Sequence, residues 1–214
     1  MFLGSKSLKK ALRDGTIIVE NSFDGALKGL TIDVRLGGSI LIPELTGPLD
    51  PLGSNEQIKW RTVNLPEAIP ENLGRGFVLN QGLLALGYTH EQISIDAQTM
   101  AIINSRSTAA RLGIVTHHTA PLINPGHGMS VDGAKPRSIT LELFTSLPHG
   151  VMLYSGLIIA QLKFAKVTNR LELYDERPGA TYRTDHGVMI PDFSTLVPEP
   201  NLRQGLLREL IATH

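Results

Sequence analysis

Cysteine is absent from all 214 residues. That excludes disulfides, thiolate nucleophiles, iron–sulfur clusters and Cys-ligated zinc. A surplus of either charge is missing too, since 20 Lys+Arg balance 20 Asp+Glu. No bulk field therefore draws the chain to nucleic acid or to an anionic membrane, and only local basic clusters remain for an anionic ligand. No apolar run reaches the roughly 18 residues of a membrane span. Met1-Phe2-Leu3-Gly4 gives way at once to Lys6, Lys9 and Lys10, too short a stretch for a signal sequence. These absences set the expectation of a soluble, cytoplasmic protein whose partner is a small molecule or another copy of itself.

What is present suffices for a large core: hydrophobic residues make 42% of the chain. The 21 glycines and 13 prolines are spread along the sequence rather than massed in a linker, as in short strands joined by turns. At the start, Ser7 can cap a short helix in which Leu8, Ala11 and Leu12 share a face and which Gly15 can close. Period-two alternation then predicts half-buried strands over 31–36, 92–96 and 138–144. In 158–164, Ile158, Ala160, Leu162 and Phe164 share one face, with Gln161 and Lys163 on the other. Such runs at short intervals predict an antiparallel sandwich, jelly roll or barrel. Residues 44–75, rich in Pro, Gly and Asn, predict long connections or a surface excursion. From Pro198 onward, Leu202, Leu206, Leu207, Leu210 and Ile211 recur at helical spacing and predict a C-terminal helix.

Three stretches carry candidate chemistry. Residues 105–113 contain Arg106, Ser107, Thr108 and Arg111 and predict a brief helix with Ser107 as N-cap and Gly113 as terminator. Free N–H groups and guanidinium donors there can converge on phosphate oxygens, or the stretch is an ordinary capped turn with two solvated arginines. His117, His118 and His127 lie within eleven residues, yet without the i, i+4 pair of a helical metal site. That spacing favours one buried, hydrogen-bonded histidine with the others lining a loop over a metal centre. Glu142 stands at mid-strand on the side of Thr140 and Phe144, either on a solvated face or held in a cavity for proton transfer.

Taken in order, Asp33-Val34-Arg35-Leu36-Gly37, Arg106-Ser107-Thr108-Ala109-Ala110-Arg111-Leu112-Gly113, and His117-His118-Thr119-Ala120 with Ile123-Asn124-Pro125-Gly126 resemble the dCTP deaminase family. Ile139-Thr140-Leu141-Glu142 and Ala180-Thr181-Tyr182-Arg183 complete the set, and the similarity covers residues 5–190, weakest over 44–75. The family belongs with the trimeric dUTPases. The resemblance implies an all-β chain: a distorted antiparallel β-barrel or jelly roll with short N-terminal and central helices. Residues 1–196 would form the nucleotide deaminase domain and 197–214 the C-terminal helical tail. It further implies a homotrimer with active sites at subunit interfaces, binding dCTP or dUTP. The implied reaction is hydrolysis of dCTP to dUTP and ammonia, metal-free at the base. Magnesium would ride on the triphosphate. Zinc is not expected, since zinc deaminases rely on cysteine ligands that this chain lacks.

By position, the resemblance assigns Glu142 as general base and acid, with Ser107, Arg111 and the Ala120 carbonyl placing the water and stabilising charge near C4. Arg106, Thr108 and Tyr174 match phosphate-contacting positions, and His117, Tyr182 and His186 complete the implied substrate-binding set. The chain departs from the family pattern at several points. The acid expected to accept the sugar 3′-hydroxyl is Asn124 when counted from Ala120 but Asp132 when counted back from Glu142, and an insertion of about four residues between Pro125 and Ser138 would reconcile the two counts. His127 replaces an aromatic, Thr181 a lysine, and Ser105 a glycine. A dUTP diphosphatase, a bifunctional enzyme carrying dCTP to dUMP, and a catalytically weak nucleotide-binding regulatory module are the competing readings.

Overall fold

The computed structural model describes residues 1–118, 120–169 and 188–192. It opens with α1 (Ser5–Arg13), followed by β1 (Ile17–Glu20), β2 (Leu27–Lys28), β3 (Thr31–Arg35) and β4 (Ser39–Glu44). Next come β5 (Lys59–Asn64), β6 (Phe77–Leu79), β7 (Ala85–Tyr88), β8 (Gln92–Ile95) and β9 (Thr99–Ser105). After α2 (Ser107–Arg111) the chain forms β10 (Ile114–Val115), β11 (Leu122–Ile123), β12 (Met129–Ser130) and β13 (Gly133–Ala134). The last strands among the described residues are β14 (Thr140–Thr145), β15 (Val151–Leu153) and β16 (Ile158–Lys166).

Among the described residues two five-stranded antiparallel sheets result, ordered β10-β14-β7-β4-β5 and β11-β9-β16-β3-β2, with three two-stranded pairs. Alternation explains the layering: Leu141 and Leu143 of β14 and Ile40 and Ile42 of β4 turn inward, as do Ile32 and Val34 of β3 and Leu162 and Phe164 of β16. These side chains belong to one hydrophobic cluster shared by both sheets. The all-β expectation holds, but among the described residues the sheets do not close into a barrel. The physical reason lies at the edge: β5 pairs β4 from Ser39–Asn64 to Glu44–Lys59 and turns Lys59, Arg61, Thr62 and Asn64 to solvent. Polar side chains blunt an edge against further pairing.

Several local expectations are corrected. The first helix begins two residues before Ser7, with Gly4 at the N-cap and no side-chain cap. Leu3 N–H donates to Phe164 O at 2.8 Å and Leu8 N–H to Gly4 O at 2.8 Å, so docking of the terminus on β16 sets the start. Leu8 and Ala11 are buried, as the spacing predicts, and Gly15 follows the C-cap with φ +73°. The 44–75 excursion contains a six-residue strand, β5, which alternation could not show because most of its positions are exposed. No helix among the described residues is long and apolar enough to cross a membrane. The predicted C-terminal helix and the 197–214 division lie outside the described residues. Residues 188–192 return across β14, where Met189 N–H donates to Thr140 Oγ1 at 3.2 Å.

Candidate active site

Glu142 occupies the middle of β14, between the buried Leu141 and Leu143. Its side chain therefore leaves the core on the side of Thr140 and Phe144. It does not lie on a merely solvated face: His118 N–H donates to Glu142 Oε2 at 2.8 Å, and Glu142 N–H donates to Thr116 O at 3.1 Å. One segment, 116–118, thus grips both the main chain and the carboxylate. The exposed His118 ring packs on Phe144, centroids 5.0 Å apart and tilted by 50°.

The segment is placed by β10, which pairs Ile114 with Thr145 and Val115 with Phe144. It is placed a second time from the other sheet. Ser105, the last residue of β9, accepts from Thr116 N–H at 3.0 Å, and its Oγ lies 3.0 Å from Thr116 Oγ1.

Between these strands lies α2, whose cap differs from expectation. Arg106, in extended conformation, is the N-cap, and Ser107 is the first helical residue, because Ala110 N–H already bonds to Arg106 O at 2.8 Å. Gly113 ends the turn with φ +73° and leads directly into β10. A Cβ there would lie 2.6 Å from Leu147 Cγ, so both the backbone angle and the space call for glycine. Ser107, Thr108 and Arg111 are exposed, and their side chains make no hydrogen bond or ion pair among the described residues. Within one chain they are not joined to Glu142.

Arg106 is held differently. Its Nη2 lies 3.6 Å from Oδ2 of Asp33, which is 2% exposed in the middle of β3. The remaining residues of that early motif are structural. Arg35 donates through Nε and its backbone N–H to the fully buried Glu91, each at 2.7 Å, and its guanidinium stacks on Phe23. Gly37 lets the Tyr88 ring approach, since a Cβ there would collide with it.

His117 is half-buried, and its Nδ1 is a buried atom without a hydrogen-bond partner among the described residues. Asn124 follows β11 at the surface, and its carbonyl accepts from His127 N–H at 3.2 Å. Asp132 sits at the exposed tip of the β12–β13 hairpin, 3.7 Å from Lys135. That hairpin occupies the interval where the two counts toward the sugar-recognition position diverge. Ala120 is exposed, while Thr119, Tyr174, Thr181, Tyr182 and His186 lie outside the described residues. Among the described residues no three histidine or carboxylate side chains converge as metal ligands.

Sequence reasoning had no role for Thr116 or Phe144 and gave Asp33 none beyond its motif. Only strand pairing brings them to the site, and pairing leaves no mark in local spacing.

A family model described as dCTP deaminase-like matches residues 2–167. The chain is 31% identical over 192 residues to the "dCTP deaminase, dUMP-forming" of Dictyoglomus turgidum, covering 87% of this chain and 92% of that one. It is 30% identical over 190 residues to the dCTP deaminase of Shewanella oneidensis, covering 86% and 93%. Among solved structures it is similar in fold to the 2′-deoxycytidine 5′-triphosphate deaminase from Agrobacterium tumefaciens, with a TM-score of 0.53 at 18% identity. That match covers 76% of this chain and 47% of the solved chain, so this chain spans about half its length.

Proposed function

The chain belongs to the dCTP deaminase-like family, and from that premise we propose that it removes the 4-amino group of dCTP by hydrolysis, giving dUTP and ammonia. The observation that carries the reading is Glu142, a carboxylate held at 2.8 Å by a backbone N–H in a chain whose family model spans residues 2–167. Glu142 takes one proton from water as its oxygen adds to C4 and delivers it to N3, then takes the second from the new C4 hydroxyl and delivers it to the departing amine. The C4–N4 bond breaks, ammonia leaves, and the carboxylate ends as it began. Ser107 and Arg111 place the water and offset charge near C4, assisted by the Ala120 carbonyl. Arg106, Thr108 and Tyr174 meet the triphosphate and its magnesium, with His117, Tyr182 and His186 completing the pocket.

The exposure of the Ser107, Thr108 and Arg111 side chains, without partners among the described residues, supports a site completed by a second copy. A homotrimer with sites between subunits is the assembly proposed. The cytoplasm is its proposed location. No zinc takes part in this reading, and stoichiometric zinc whose removal abolishes turnover would overturn it.

A second reading carries dCTP through to dUMP, and the name of the Dictyoglomus relative favours it. Against it stands Asn124, because an amide cannot take the proton of a water attacking a phosphate at neutral pH. Asp132, on an exposed hairpin tip, would have to serve. Incubation with dCTP and separately with dUTP, followed by chromatography, separates the two. Accumulating dUTP supports the first reading, and dUMP with pyrophosphate the second. Nucleotide binding without turnover would instead indicate a regulatory module.

A further inference from the structure

Resting on the reading of Glu142 as the proton-transfer group, we propose that Ser105 is a positioning residue for the reaction, its hydroxyl fixing the 116–118 segment that holds Glu142. Ser105 and Glu142 belong to different sheets, at the end of β9 and in the middle of β14. The ladder between β10 and β14 ends at Val115–Phe144, so Thr116 is the first residue beyond strand pairing. What holds it there is Ser105 Oγ, which accepts its N–H at 3.0 Å and meets its hydroxyl at 3.0 Å. Thr116 is fully buried, and no solvent can take over either bond. From this fixed point the segment takes Glu142 N–H on Thr116 O at 3.1 Å and, two residues on, gives His118 N–H to Glu142 Oε2 at 2.8 Å. The hydroxyl thus sets where the carboxylate stands without touching substrate. Proton transfer falls steeply when the base is misplaced, whereas affinity set by phosphate and sugar contacts does not.

The test is steady-state deamination of dCTP by the purified full-length protein, with thermal unfolding recorded on the same samples. Ser105→Ala is expected to lower kcat about tenfold while KM stays within about twofold of the parent, the signature of a lost transition-state interaction. Ser105→Thr, which keeps the hydroxyl, is expected to recover most of that loss. If Ser105→Ala fails to fold, Ser105→Cys keeps the size but accepts an N–H poorly and is read in the same way. A purely structural serine would lower the melting temperature and leave kcat of the folded protein unchanged. Wild-type kcat in the Ala or Cys variant, with Glu142→Gln inactive, overturns the positioning role and leaves the Glu142 reading intact. Turnover by Glu142→Gln itself would overturn that reading, and this proposal with it.

Discussion

Glu142 has a main-chain donor on its carboxylate and a main-chain acceptor on its own N–H. Gln at this position keeps the size and one accepting oxygen but cannot exchange protons near neutral pH. Glu142→Gln is therefore expected to lower dCTP deamination at least about 10²-fold, with nucleotide affinity and melting temperature little changed. Near-parental release of ammonia would return Glu142 to an ordinary strand face. Asp33 makes a different prediction. Its carboxylate is buried, but Arg106 beside it is 37% exposed, so solvent screens their pairing. Asp33→Asn is expected to cost only ~1 kcal/mol in a denaturant titration, and to raise KM for dCTP, because Arg106 loses its fixed pose. An unchanged KM would detach Asp33 from substrate binding. Glu142 was readable in the sequence as a carboxylate on the polar face of an alternating strand, its proposed role only through the family resemblance. Thr116 was not, because a buried threonine between two short elements looks like any other loop residue until strand pairing is known.

At the scale of elements, the legible parts were those whose two faces differ. β14 and β16 alternate because one face meets the core, β3 alternates in polarity although Thr31 and Asp33 are buried too, and α1 shows its apolar stripe. β5 was illegible because an edge strand in water has little alternation to show. The N-caps of the two helices lie three residues and one residue before those expected, at Gly4 and Arg106, although Ser7 and Ser107 are good capping residues by type. Tertiary contacts of Leu3 and Arg106, whose N–H groups donate to Phe164 O and Ile159 O, fix the starts instead. The β12–β13 hairpin leaves the count toward Asn124 or Asp132 open, since no local signal says which residues an insertion displaces. The sharp exit from α2 is the element with a measurable cost. Gly113→Ala places a side chain at φ +73° and 2.6 Å from Leu147 Cγ. A loss of ~1–3 kcal/mol in stability is expected. Deamination should fall as well, because the turn aims α2 relative to β10. Unchanged stability would mean that Leu147 yields freely and that the turn carries no constraint.

For the whole molecule, the single chain presents half of a proposed site twice over. Glu142 is clamped within its own fold, while Ser107, Thr108 and Arg111 stand exposed on α2 with side chains that have no partner among the described residues. In a closed cyclic trimer each interface is heterologous, so α2 of one copy can serve the Glu142 of the next. Such an assembly should run in solution at about three times the 23.2 kDa chain. Its decisive signature is complementation. Glu142→Gln and Arg111→Ala should each be inactive alone. When the two are unfolded together and refolded as mixed trimers, a site works if one neighbour supplies Glu142 and the other Arg111. Random assembly makes each condition true half the time, so about a quarter of the sites should recover. Recovery to that order, absent when the separately folded variants are merely combined and assayed at once, would place the two residues on different chains. If the mixed trimers form, as a tagged copy of one variant co-purifying with the other would demonstrate, yet stay inactive, then Arg111 serves the Glu142 of its own chain.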